Sequence, residues 1–255
     1  MARPRRLAPL VFTMAVAVAA AITASGAKAA EAAASPVVVE LFTSQGCYSC
    51  PPAEAYLGKL AGRADVVALE FHVDYWDDLV YGSAGKWKDP FSSPQFTQRQ
   101  RSYNAQIRKT GGVYTPQMVI GGNRETVGSH ENKVEKAISQ LTRTAPLTVE
   151  VRESGAAQLT VQIDGTGPAP ASVWLVRFHR TIETRVRSGE NKGKTLTSHN
   201  IVTGVQKIAD WTGGPLSLEA ASPAAGSGQG CAVLVQQAPG TPILGASYCP
   251  GARSS

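Results

Sequence analysis

Cys47 and Cys50 stand with two residues between them in the stretch Val37–Pro52, VVVELFTSQGCYSCPP. Sulfurs at C-x-x-C spacing can close a small disulfide. Free backbone N–H groups and the positive end of a helix dipole favour the thiolate that attacks in disulfide exchange. The flanking residues supply that setting. The β-branched run Val37, Val38 and Val39 predicts a buried strand, Thr43–Gly46 a short polar loop, and Ala53–Gly62 an amphipathic helix with Tyr56, Leu57 and Leu60 at helical spacing. A dithiol at a helix start points to thiol–disulfide exchange, with Cys47 the more accessible, nucleophilic sulfur and Cys50 the resolving one. Pro51 and Pro52 qualify this. A residue before proline avoids the helical region, so the helix is expected to begin at Pro51 and to leave Cys47 a turn outside it.

The elements that must hold the dithiol follow in order. Val66–Val73 is a second buried strand. Gln95–Lys109 is a polar helix, Gln117–Ile120 and Arg124–Val127 form a hairpin, and Glu131–Leu141 is a last helix capped by Ser129. Between strand and helix, Asp74–Pro94 is rich in Asp, Gly, Pro and the aromatics Tyr75, Trp76, Tyr81, Trp87 and Phe91. It is either a lid or groove beside the dithiol or a satellite cluster that fastens a long loop. Asp74, Asp77 and Asp78 lack the spacing of a calcium loop. After Thr144-Ala145-Pro146 the pattern changes to short alternating segments separated by turns, Leu147–Arg152, Gln158–Ile163, Val173–His179, Ile182–Arg187, Ile201–Ile208, Cys231–Gln237 and Ile243–Tyr248, the pattern of an antiparallel sandwich. The expected fold is therefore an α/β domain over residues 36–144 followed by an all-β sandwich over 145–255.

The order β-α-β-α-β-β-α, with the dithiol after the first strand, makes residues 37–141 resemble a thioredoxin-like domain. In that fold a cis-proline opposes the dithiol at the start of a later strand, and Thr115-Pro116 stands at the matching place. Through its ELFTSQGCYSCPPAE, HVDYW and VYTPQMVI segments the mature chain resembles an exported thioredoxin-like family catalogued as a domain of unknown function, number 1223. The resemblance implies that Thr115 and Pro116 present backbone groups to an extended substrate, with Tyr114 and Trp76 beside them. It also implies that Glu40, allowing one extra loop residue, is the buried acid that takes a proton from the resolving Cys, its pKa raised by burial. The alternative for Glu40 is a solvent-facing carboxylate at a strand edge. Thr before the proline resembles exported disulfide isomerases, which favours reductase or isomerase over oxidase. The implied partners are exported protein thiols or disulfides and an upstream redox partner, with no cofactor.

Export is expected from the N-terminus. Arg3, Arg5 and Arg6 precede an apolar stretch from Leu7, and Ala27-Lys28-Ala29 supplies a cleavage site, so residues 1–29 have the form of a signal peptide and the mature chain is expected to be periplasmic or secreted with no stable membrane anchor. Removing them takes four cations and no acid. The 25 Lys and Arg become 21 against 19 Asp and Glu, a net charge of +2 in place of +6, and the scattered basic residues do not describe a nucleic-acid surface.

Three other constellations carry weight. Cys231 and Cys249 face each other if the strands flanking Pro239-Gly240-Thr241 pair about Gly240, which predicts a structural disulfide. Gly189-Glu190-Asn191-Lys192-Gly193-Lys194-Thr195 has one residue too few between its glycines for a Walker loop and lies between strands, so it is expected to be a basic hairpin loop. Cys47, Cys50 and His72 could hold Cu(I) or Zn, although the sequence offers no convincing fourth ligand, and a non-catalytic binding module with a static Cys47–Cys50 bridge is the remaining alternative.

Overall fold

The computed structural model describes residues 1–2, 35–80, 82–142, 144–223 and 228–253; the expected leader over residues 1–29 lies almost wholly outside them, as does Tyr81. No helix among the described residues is long and apolar enough to cross a membrane.

Strand β1 (Val37–Thr43) and strand β2 (Val66–His72) are parallel and completely buried, as their β-branched composition requires of central strands. Helix α1 (Pro51–Ala61) connects them. Its start is fixed by Pro51 and Pro52, which suit the first turn, and Cys50 is its N-cap residue. Helix α2 (Pro94–Ile107) is capped by the Ser93 side chain, which accepts from Gln95 N–H. Strand β3 (Gln117–Ile120) runs antiparallel to β1 and pairs with β4 (Arg124–Val127), followed by α3 (Glu131–Leu141). His130, not Ser129, occupies the N-cap of α3, without a side-chain cap.

Period-2 alternation sorts β1 and β2 into two faces. Val39, Leu41 and Ala68 pack with Leu57, Leu60, Val134 and Ile138 of α1 and α3. Val38, Phe42, Val67, Leu69 and Phe71 pack on the opposite face with Phe96 and Tyr103 of α2. Glu40 therefore lies on the α2 face, and Glu70 and His72 on the α1 face.

The remaining strands are β5 (Leu147–Gly155), β6 (Gln158–Gly165), β7 (Ala171–Arg185), β8 (Thr195–Trp211), β9 (Leu216–Ala221), β10 (Gln229–Gln236) and β11 (Ile243–Tyr248). They do not form a separate sandwich. Four of them extend the first sheet into eight strands in the order β11-β10-β7-β8-β2-β1-β3-β4, while β5, β6 and β9 form a small second sheet. The layers meet closely where β5 crosses β11, since a Cβ at Gly245 would lie 2.8 Å from the Leu147 carbonyl oxygen. The fold is thus mixed α/β with one large sheet and few helices, and the stretch Ala32–Ser255 is a single unit undivided at residue 145. A physical reason lies at β2. Left as an edge, that buried strand would keep unpaired backbone groups. Instead β8 joins it through the pair Glu70↔Ile201, Ala68 N–H donates to the Tyr248 hydroxyl, and Asn200 Nδ2 donates to the Ala68 carbonyl.

Strand β7 is buried at Val173, Leu175, Val176 and Phe178, so its alternation changes phase between Leu175 and Val176, while the two irregularities in its pairing with β8 leave Ile208 and Thr203 of β8 unpaired. Trp174 is half-buried. Beyond the sheet, Thr181–Arg185 and Thr195–His199 pair only with each other and form a projecting arm. The arm lies along α1, where a Cβ at Gly58 would come within 2.6 Å of the His199 ring.

Candidate functional site

At the end of β1 the chain turns through Ser44-Gln45-Gly46, with Cys47 N–H donating to the Ser44 carbonyl and Cys50 N–H to the Cys47 carbonyl. Cys47 and Cys50 are joined in a disulfide. The expected supply of free N–H groups at the helix start is absent. Pro51 and Pro52 have none, and Ala53 and Glu54 N–H both donate to the Cys50 carbonyl. What remains for a thiolate is the helix dipole, with Cys47 a turn outside the helix.

Neither sulfur is open to solvent. Cys47 and Cys50 are both 0% exposed, whereas Tyr48 between them is 65% exposed. Cys47 was expected to be the accessible sulfur and is not, and the tip of the arm bonds to the backbone beside it. Asn191, itself buried, donates from Nδ2 to the carbonyls of Gln45 and Cys47, both at 2.9 Å. Glu190 Oε2 accepts from Tyr48 N–H at 2.8 Å, and Lys194 Nζ sits 4.2 Å from the centre of the Tyr48 ring. The basic hairpin loop is thus present as a loop between β7 and β8, and its tip bonds to the backbone of the dithiol loop.

The floor of the site is a run of buried ionisable groups on the α1 face. Glu54, four residues beyond Cys50 and so on the same side of α1, accepts from the Thr43 hydroxyl at 2.6 Å. Burial, reinforced by the negative charge of Glu70 and opposed by Thr43 and His72, pushes its pKa up to about 8. His72 lies between two carboxylates, Nε2 at 2.8 Å from Glu70 Oε1 and Nδ1 at 2.7 Å from Asp89 Oδ2. Burial disfavours the imidazolium, but Asp89 and Glu70 outweigh it and hold the pKa well above the ordinary histidine value. With both nitrogens donating, His72 presents no lone pair to a metal, and among the described residues no cluster of ligating side chains is arranged to hold an ion. Asp89 Oδ2 also accepts from Gln45 N–H at 2.8 Å, which ties the floor to the dithiol loop.

Glu40 does not join this group. It is buried, as expected, but on the α2 face, with Arg99 Nε donating to its Oε1 at 2.9 Å and the Tyr103 hydroxyl donating to its Oε2. The acid on the Cys50 side is Glu54, whose position four residues after Cys50 was the available signal.

The Thr115–Pro116 peptide is cis. Trp76 Nε1 donates to Thr115 Oγ1 at 2.8 Å, and the Trp76 Cβ would lie 3.4 Å from a Cβ at Gly46, so Trp76 bridges the dithiol loop and Thr115. Tyr114 is occupied elsewhere. Its hydroxyl donates to Glu125 and its ring lies under Arg108. The 74–94 segment is a fastened loop, with Asp77 accepting from Lys88 and Ser92, and it also borders the site, where Trp87 Nε1 donates to Gln45 Oε1 at 3.2 Å. Cys231 and Cys249 form the second disulfide, in the register expected from the β10–β11 pairing.

A family model described as Protein of unknown function (DUF1223) matches residues 38–236. The chain belongs to the DUF1223 family. The match runs from β1 through the loop between β7 and β8 to β10 and crosses residue 145 without a break. Protein AGR_C_4864 from Agrobacterium tumefaciens, a crystal structure, is similar at 31% identity with a TM-score of 0.71, over 87% of this chain and 97% of that one. HBP35 of Porphyromonas gingivalis is similar at 15% identity with a TM-score of 0.58, over 88% and 78% of the two chains, a likeness of fold alone. No curated protein matches the chain.

Proposed function

We propose that this DUF1223 protein is an exported, thioredoxin-like thiol–disulfide oxidoreductase whose Cys47–Cys50 pair exchanges with cysteines of exported proteins. The observation that carries the reading is a C-x-x-C disulfide at the start of α1 with Glu54, a buried acid of raised pKa, on the same helix face as Cys50. In reduction of the pair, a substrate thiolate bonds to Cys47 Sγ and the Cys47–Cys50 bond breaks with its electron pair leaving on Cys50. Glu54, protonated near neutral pH, is the proton source on that side. A second substrate thiolate then attacks the substrate sulfur, forming the substrate disulfide and releasing Cys47. In the reverse direction Cys50 resolves the mixed disulfide and Glu54 takes its proton. Trp76 and Thr115, held together beside the loop, form the wall against which an extended substrate segment lies.

The test is a trap. Cys50→Ala, expressed in its own exported compartment, leaves Cys47 able to attack and removes the escape route, so thiol-sensitive covalent complexes accumulate in non-reducing gels and Cys47→Ala abolishes them. Absence of adducts beyond those of Cys47→Ala overturns the proposal. The zero exposure of both sulfurs favours one competing reading, a static bridge in a binding module. The reduction potential separates the two: a value below about −300 mV belongs to a structural disulfide and a much less negative one to a catalytic pair.

A further inference from the structure

The loop at the tip of the arm is built unlike a piece of core. From Arg187 to Lys194 it carries no large apolar side chain, and Lys192, Gly193 and Lys194 are exposed. Its base is a closed turn, with Val186 N–H donating to the Lys194 carbonyl and Gly193 N–H to the Val186 carbonyl, and with Val186 buried. Its tip is held to the rest of the molecule by polar contacts. Asn191 serves the Gln45 and Cys47 carbonyls, Glu190 serves Tyr48 N–H, Gly189 N–H donates to the Ala84 carbonyl, and the Ser188 hydroxyl donates to the Lys86 carbonyl. Lys194 Nζ steadies the latch by donating to Asn191 Oδ1 at 2.9 Å. Gly189 and Gly193 flank the tip in left-handed conformations, φ 76° and 86°, which glycine adopts without strain. Segments with few apolar contacts are those that open well below the cost of global unfolding, and here the Tyr48 N–H and Ser188 bonds are exposed while the two from Asn191 are buried.

We infer that residues 187–194 are a lid that determines which thiols reach Cys47, with Asn191 as its latch. In the closed state no thiolate can approach Cys47 Sγ, and the pair is shielded from small thiols. Opening uncovers the Gln45 and Cys47 carbonyls and the Tyr48 N–H, groups on one loop spaced to take up the backbone of an extended peptide. The favoured reactant is therefore a peptide cysteine whose backbone replaces the lid's contacts, and a small thiol, which cannot replace them, meets the full cost of opening. The inference rests on the exchange reading for its purpose and not for its test, because shielding of a disulfide is measurable whether or not the protein is an oxidoreductase.

The experiment follows dithiothreitol reduction of the oxidised protein, with alkylation and mass mapping that score Cys47–Cys50 and Cys231–Cys249 separately. Each dithiothreitol molecule donates two electrons, its two thiols becoming a cyclic disulfide as the protein pair becomes two thiols. Asn191→Ala removes two hydrogen bonds from the closed state only and should accelerate reduction of Cys47–Cys50 by about tenfold or more, with the Cys231–Cys249 rate unchanged. The double variant Glu190→Gln, Lys194→Met loosens the lid while leaving both Asn191 Nδ2 hydrogen bonds in place and should give a smaller increase at the same bond. Equal acceleration of both disulfides would mean global loosening and would overturn the lid, as would an unchanged Cys47–Cys50 rate in both variants. Wild-type reduction of Cys47–Cys50 as fast as in the urea-unfolded chain would overturn it as well. Failure on any of these counts leaves the covalent trap of Cys50→Ala as a separate test of exchange.

Discussion

Glu54→Gln is the perturbation that most directly tests the buried floor of the site. Glu54 is 2% exposed, and its pKa rises from 4.5 in the unfolded chain to about 8 in the fold. Between those values the folded protein keeps a proton that the unfolded chain releases, so stability falls as pH rises, by about 1.4 kcal/mol per pH unit. Over the whole window the loss has a ceiling of about 5 kcal/mol. Gln has the same shape, still accepts from Thr43, and never ionises. Urea unfolding of the oxidised proteins at pH 5 and pH 8.5 should therefore find the two within about 1 kcal/mol at the lower pH and the variant more stable by several kcal/mol at the higher. His72 adds a slope of the same sign. Its pKa is raised, so the stability it contributes is complete below about pH 6.5 and is lost as pH climbs through the folded-state value. That slope is common to both proteins and largely cancels in their difference. Parallel pH profiles for wild type and Glu54→Gln, or a variant that is the less stable at pH 8.5, would refute a neutral Glu54 and with it the proton source assigned to Cys50.

Two further outcomes follow from the geometry. Glu40→Gln leaves the Arg99 guanidinium without its carboxylate in a buried pair and should cost about 3 kcal/mol or more in chemical denaturation, while the pH profile of disulfide exchange stays as in the wild type. Replacing Cys231 and Cys249 together by Ala opens a cross-link between residues 18 apart, should cost about 3 kcal/mol and lower the melting temperature by roughly 6–12 °C, and should leave insulin-type disulfide reduction intact.

What the sequence made legible is the part of the site that is local. The dithiol, the late helix start forced by Pro51 and Pro52, the β3–β4 hairpin and the β10–β11 register all depend on residues within about twenty positions of one another. The roles of Glu40 and Glu54 were not separable in this way. Val37, Val38 and Val39 are all buried, so β1 has no polar face, and nothing in the strand tells which parity α1 will cover. Packing decides it, by placing Leu57 and Leu60 against Val39 and Leu41. The single unit from Ala32 onward was hidden for a different reason. Among the described residues a single backbone pair, Glu70↔Ile201, joins the two halves of the large sheet, and the side chains of Asn200 and Tyr248 supply further bonds there.

The same junction explains how a loop 144 residues from Cys47 in sequence comes to bond to it. Asn200 takes a positive φ of 51°, a conformation that Asn tolerates better than most residues, at the point where β8 leaves the sheet. Residues 181–199 then continue as a two-stranded arm, and the arm needs a groove on α1. Gly58 provides it. Mid-helix glycine is worth roughly 1 kcal/mol less than alanine in isolation, yet here a Cβ would meet the His199 ring at 2.6 Å and force that ring from its place on the helix. Joining β8 to β2 thus has a consequence beyond burying a sheet edge. It anchors the arm at Asn200 and Gly58, and that anchoring sets Asn191 over the Cys47 carbonyl.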